Sequence, residues 1–176
     1  MNRVLIVLVS LFLFHCKKAD TVKHLDYTGP VKEIEKMEIY YSEEDKVKVK
    51  VLADVMYELK DGDREFPKGV YLEFYDETGG IESTLRANEA HFFKEENKWR
   101  GRGKVEIKNL EKHQQLNTEE LFWKPADKKI FTDNFVTIRD QGDIIYGEGM
   151  DAKQDLSDYE IRKPTGDFEV KEDGQQ

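Results

Sequence analysis

Lys46-Val47-Lys48-Val49-Lys50-Val51-Leu52-Ala53-Asp54-Val55-Met56-Tyr57-Glu58-Leu59-Lys60 decides the fold class. Val47, Val49, Val51, Ala53, Val55, Tyr57 and Leu59 take the odd positions, and Lys46, Lys48, Lys50, Asp54, Glu58 and Lys60 fall between them. Period two is the signature of a strand with one face in the core and one in water. At helical spacing the same apolar residues would scatter around the cylinder. Leu52 and Met56 break the pattern. Outward from this stretch the alternation recurs at Met37, Ile39 and Tyr41, at Val70, Leu72 and Phe74, at Val105 and Ile107, and at Val136 and Ile138. The chain reads as all-β, with no long helix.

Turn signals separate the alternating runs: Asp61-Gly62-Asp63, Thr78-Gly79-Gly80, Glu96-Asn97, Pro125-Ala126-Asp127 and Gln141-Gly142-Asp143. Such residues between alternating segments connect hairpins. Their spacing of about 15 residues leaves strands of roughly 10, longer than the usual ~5–6. An internal repeat reinforces the reading. Leu85, Ala87, Glu89, Ala90, Phe92, Gly103, Val105 and Ile107 map onto Leu116, Thr118, Glu120, Leu121, Trp123, Asn134, Val136 and Ile138 at one offset of 31 residues. A looser third copy has Tyr146-Gly147-Glu148-Gly149-Met150 near its start and Tyr159 and Ile161 near its end. Successive hairpins stacking into one sheet account for it.

Composition bounds the function. The chain has 176 residues, 38% hydrophobic and 37% charged, with a net charge of −9. That suits one domain with a modest core and a soluble surface. No basic stripe in the sequence suggests nucleic-acid binding. Segments 1–16, 17–30, 31–170 and 171–176 read as an export signal or short membrane anchor, a tether, the β domain and a disordered tail.

In the first segment Arg3 precedes an apolar run from Val4 to Phe14, followed by Cys16 and Lys17-Lys18. The run is shorter than the ~18 residues of a spanning helix, so it reads as a cleaved export segment or a short uncleaved anchor. Leu13-Phe14-His15-Cys16 has the layout of a bacterial lipobox, although His15 stands where a small residue is usual. Cys16 is therefore a lipidation candidate, the alternative being an unpaired thiol in a discarded signal. As the chain's one cysteine it excludes an internal disulfide.

Leu85-Arg86-Ala87, Gly101-Arg102-Gly103-Lys104-Val105, Leu116-Asn117-Thr118 with Leu121, and Lys129-Ile130-Phe131-Thr132-Asp133 resemble the ordered series of the LptC family and its relative LptA. The likeness covers about residues 29–168. It implies an open antiparallel β-jellyroll that receives lipopolysaccharide from an inner-membrane ABC transporter of LptB, LptF and LptG and passes it to LptA. It also implies a periplasmic location at the inner membrane. The lipobox-like start departs from the spanning helix usual in that family. Apolar inner faces meeting along one side would line a slot for acyl chains. The candidate lining residues are Leu72, Phe74, Leu85, Ala87, Val105, Ile107, Leu116, Val136 and Ile138, each of which equally suits ordinary packed core. By the same resemblance the edge near Ile34 and Ile39 would face the transporter. The edge with Tyr159, Ile161 and Phe168, read as strands over residues 159–162 and 167–170, would receive LptA through strand addition.

Catalysis has little support in the sequence. Ser42, Ser83 and Ser157 have no nucleophile-elbow context, and the four histidines have no metal-ligand spacing. No cofactor and no metal is expected. His91 and His113 read as surface or turn residues, and Asp61 and Asp63 as turn formers. Gly101-Arg102-Gly103 reads as a bulge in a strand. A second reading is a lipoprotein β-sandwich that serves as a protein scaffold without carrying lipid. A weaker third, a carbohydrate-active enzyme, would need clustered exposed aromatics, whereas Trp99 and Trp123 read as strand residues.

Overall fold

Twelve antiparallel strands form one sheet in the computed structural model, which describes residues 27–140 and 142–166. Cys16, Phe168, the strand read over residues 167–170 and the tail lie outside the described residues. The strands are β1 (Lys32–Glu43), β2 (Lys46–Glu58), β3 (Arg64–Phe66), β4 (Val70–Tyr75), β5 (Ile81–Ala87), β6 (Glu89–Phe93), β7 (Lys98–Asn109), β8 (Gln114–Lys124), β9 (Lys129–Asp140), β10 (Asp143–Lys153), β11 (Tyr159–Ile161) and β12 (Pro164–Gly166). The only helical element among the described residues is one 3-10 turn, Pro125–Asp127. The uninterrupted strands β1, β2 and β7 to β10 are 11 to 13 residues long, as the turn spacing predicts.

The pairings reduce to a simple meander once the short strands are joined. β2 pairs with β4 through Val49–Leu52 and with β3 through Tyr57–Glu58. β7 likewise pairs with β5 at one end and with β6 at the other. β3 and β4 are thus one long strand interrupted at Pro67-Lys68-Gly69, and β5 and β6 one strand interrupted at Asn88. β11 and β12 form a third, interrupted at Arg162-Lys163, because both pair with β10.

All the interruptions fall on one line across the sheet. The register shifts along β7 between Arg102 and Val105, along β8 between Thr118 and Phe122, and along β10 between Glu148 and Met150. Backbones with positive φ mark the same line at Lys36, Gly69, Gly103, Lys104, Gly149 and Lys163. Gly103, at φ 71, has its carbonyl accept the Asn88 N–H at 3.0 Å, so the bulge predicted for Gly101-Arg102-Gly103 is present. Bulges bend a strand and sharpen its twist. A full row of them folds this sheet into two leaves joined at the bend.

One leaf contains β4, β5, β12 and the halves of the long strands around Val51, Ile107, Leu116 and Ile138. The other contains β3, β6, β11 and the halves around Met56, Trp99, Trp123 and Ile130. One core cluster draws on both leaves. Phe74 of the first meets Trp123 of the second edge-on at 5.3 Å, and Phe66 stacks on Trp99 at 5.2 Å within the second.

The bend changes which residues face inward. A one-residue slip exchanges the two faces of a strand. In β2 the buried core residues run Val49, Val51, Ala53 and then Met56, so the phase switches beside Asp54. Met56, irregular by sequence, is therefore an inward residue of the second leaf. Val55 is buried outside the main cluster. β8 switches in the same way, from Leu116 and Thr118 to Leu121 and Trp123. The 31-residue repeat carries the bend with it, since Asn88 and Gly103 correspond to Glu119 and Asn134 at the next bulge.

Candidate functional site: the mouth between the leaves

Opposite the bend, the strand tips of the two leaves stand apart around a cavity of about 760 Å³. Its apolar lining comes from Val49 of β2, Phe92 of β6, Trp99 of β7 and Trp123 of β8, with Tyr41 and Tyr75 alongside. Trp99 and Trp123 are direct cross-strand partners whose rings lie 6.1 Å apart, and Phe92 adds a third ring 5.1 Å from Trp99. Sites of roughly 300–1,000 Å³ with apolar walls and few polar groups are the usual form of small-ligand pockets.

The lips are charged. Glu43, Asp76, Glu77 and Glu82 stand on the first leaf; Asp127, Lys128, Lys129, Lys153 and Asp155 stand on the second. Asp76 accepts from Thr78 Oγ1 and from the N–H groups of Thr78 and Gly80, which hold its carboxyl below the ordinary range. Lys48 and Lys46 do the same for Glu77. Burial raises the pKa of Glu82, with help from the acidic neighbours Asp155, Asp76 and Glu111. Tyr75 donates to Glu73 at 2.6 Å, and that carboxylate pushes the phenol up to about 12, so Tyr75 stays a neutral donor.

A short connection closes one end of the mouth. After β10 the chain crosses from the second leaf toward the first, and Leu156 inserts into the core at 1% exposure. Asn109 donates to the Asp155 carbonyl at 2.7 Å, Trp123 Nε1 to Gln154 at 2.9 Å, and Tyr159 to Asp140 at 3.2 Å. The β1 end has no such bridge among the described residues.

The nine residues named from sequence as groove lining all lie on inner faces, at 0–7% exposure. None lines the large cavity. Leu72, Leu85 and Val105 border a void of about 20 Å³ deeper in, room for roughly one water. The open lining is instead the strand-tip set Val49, Phe92, Trp99 and Trp123. A usable signal for the tryptophans was their position, one just after the Asn97 turn and the other just before Pro125.

Ile34 and Ile39 lie on β1, an edge strand that among the described residues pairs only with β2. Tyr159 and Ile161 lie on β11 at the opposite edge, paired with β10. His113 sits at a turn, as expected, but His91 is a strand residue of β6. Its ring is 2.9 Å from Asp63, whose carboxyl is held below its ordinary value by that bond. Asp61 does form the turn, accepting the Asp63 N–H. No group of His, Cys, Asp and Glu among the described residues could hold a metal ion. No helix among them is long and apolar enough to cross a membrane.

A long-stranded sheet folded along a row of bulges, hinged at one side and open at the other, defines the class as an open β-jellyroll. The model of the family described as lipopolysaccharide-assembly, LptC-related, matches residues 3–163, and the chain belongs to that family. It is therefore a component of lipopolysaccharide transport, in a family that works at the periplasmic side of the inner membrane and is not known for enzymes. Comparison with curated proteins gave no match.

Proposed function

We propose that the domain receives lipopolysaccharide from the LptB, LptF and LptG transporter at its β1 edge and delivers it to LptA at its β11 edge. Cys16 would hold the chain at the membrane by lipidation. The acyl chains travel between the leaves. The observation that carries this reading is the aromatic-floored cavity between two leaves whose outermost strands sit at opposite ends of the trough. Hydrocarbon entering there leaves no backbone group unpaired, because the backbone donors of the walls are engaged in the sheet. Tails enter at Val49, Phe92, Trp99 and Trp123, and the nine deeper residues become walls as the leaves part.

Trp99 and Trp123 are the chain's two tryptophans and both lie on the cavity floor, so their emission reports occupancy. Titrating the full chain with lipopolysaccharide should shift the emission to shorter wavelength, and fully deacylated lipopolysaccharide should leave it unchanged. An equal response to the deacylated form would refute recognition by tails.

A further inference from the structure

The tip of the second leaf carries a row of lysines, two of which, Lys129 and Lys153, also stand at the lip of the mouth. Lys98, Lys124, Lys129 and Lys153 are each the terminal residue of their strand, in β7, β8, β9 and β10. Lys124 pairs directly with Lys129, and Lys129 with Lys153. Lys98 is in register with Lys124, because Trp99 pairs with Trp123 next to them. Like charges placed opposite one another across strands are destabilising. This chain, with a net charge of −9, nonetheless sets four in a line.

Neutralisation of the row is incomplete. Lys98 is bonded to Glu96, and Lys153 lies 3.9 Å from Asp158. Lys124 and Lys129 make no ion pair among the described residues. One step inward along the strands, Phe122 and Phe131 stack at 5.2 Å on the same outer face, both partly buried. Lys98 lies 5.5 Å from the Phe122 ring and Lys124 lies 5.7 Å from that of Phe131. Cations with partly buried aromatics beneath them suit a membrane–water interface.

The chain also enters the domain at this rim. β1 begins at Lys32, opposite Glu58 at the tip of the second leaf, so the N-terminal segment leaves from the tip side that bears the lysines. Residues 17–30 reach at most roughly 50 Å from an anchor at about 3.5 Å per residue. A rim held within that distance of a bilayer meets it repeatedly.

We infer that the row Lys98, Lys124, Lys129 and Lys153, with Phe122 and Phe131, is a docking surface for an anionic phospholipid bilayer, which sets the domain with its tip side toward the membrane. The inference rests on residues 1–16 acting as the anchor. Juxtamembrane lysines are drawn to anionic lipid surfaces, and salt screens the attraction.

The test is amine labelling of the full chain, reconstituted in vesicles of phosphatidylcholine alone or of phosphatidylcholine with phosphatidylglycerol, read residue by residue by mass spectrometry. Labelling of the four lysines should fall several-fold in the anionic vesicles and recover in high salt, while Lys68 and Lys108 stay constant. The double variant Lys124→Glu, Lys129→Glu should lose the protection at Lys98 and Lys153 while staying on both kinds of vesicle. Equal labelling in neutral and anionic vesicles would overturn the proposal. So would protection that arises only when lipopolysaccharide is present, because the row would then hold the cargo's head group. Release from neutral vesicles with protection kept on anionic ones would count against the anchor and for the docking surface.

Discussion

Thr132, 1% exposed, shows how single residues keep the bend intact. The ladder between β8 and β9 is interrupted there, and its lost bonds are replaced by side chains. Thr132 Oγ1 donates to the Glu120 carbonyl at 2.6 Å and accepts the Asn134 N–H at 3.1 Å, while Thr118 Oγ1 donates to the Phe135 carbonyl at 2.9 Å. Leaving a buried group unpaired costs about 1–3 kcal/mol. Thr132→Val, close in shape, should therefore lower unfolding stability by that amount in urea denaturation. No loss would mean that water or backbone adjustment satisfies these groups.

Glu82 offers a second test at this scale. Its folded pKa is raised above the ordinary 4.5, first by burial and then by Asp155, Asp76 and Glu111. The folded protein thus holds this proton to higher pH than the unfolded chain. Stability is unaffected below the unfolded value and falls as pH rises through the window between the two, so the penalty is complete above the folded value. Glu82→Gln should raise the melting temperature at pH 7, with the gain vanishing below the ordinary carboxylate pKa. A gain that persists in acid would point to a cause other than charge.

At the scale of the element, the β11 edge is the most accessible to mutation. Arg162 donates its N–H inward to the Gly149 carbonyl at 2.9 Å, so the N–H of the preceding Ile161 points away from β10, toward an edge with no further strand among the described residues. Ile161→Pro should lower the melting temperature moderately while leaving the domain folded, since Ile161 packs partly against the core, and reduce capture of LptA in a pull-down, because its outward donor is lost. Undiminished capture by a folded variant would rule this edge out. Gly147 has the opposite role. A Cβ there would lie 2.2 Å from Ile161 Cγ2 and 3.0 Å from the Arg162 carbonyl. Gly147→Ala should therefore loosen β11 and β12, seen as faster hydrogen exchange in those strands alone.

The elements were legible in the sequence where their physics is local. Alternation along Val47 to Ala53, the turn residues, and the offset from Leu85 to Leu116 all report strand, turn and repeat directly. The bend was not legible, because each bulge adds one residue and so looks like noise in a period-two pattern. Met56 was the visible trace of it. The cavity lining was missed for a related reason: alternation marks which face is inward but says nothing of depth. Leu72 and Val136 face the same interior as Trp123 yet lie below the mouth.

On the scale of the whole molecule, the bent meander separates three tasks. The hinge of bulges holds the leaves together, the mouth offers apolar surface, and the two end strands are the edges at which we propose that partners add. The central claim is that lipopolysaccharide tails pass between the leaves. Photocrosslinking in cells tests it most directly, with the crosslinker at Val49 or Trp123 in the mouth and at Tyr71 or Lys108 on the outer face. The account predicts lipopolysaccharide adducts at Val49 and Trp123 and none at Tyr71 or Lys108. Equal capture at all four positions, or capture only outside, would contradict it.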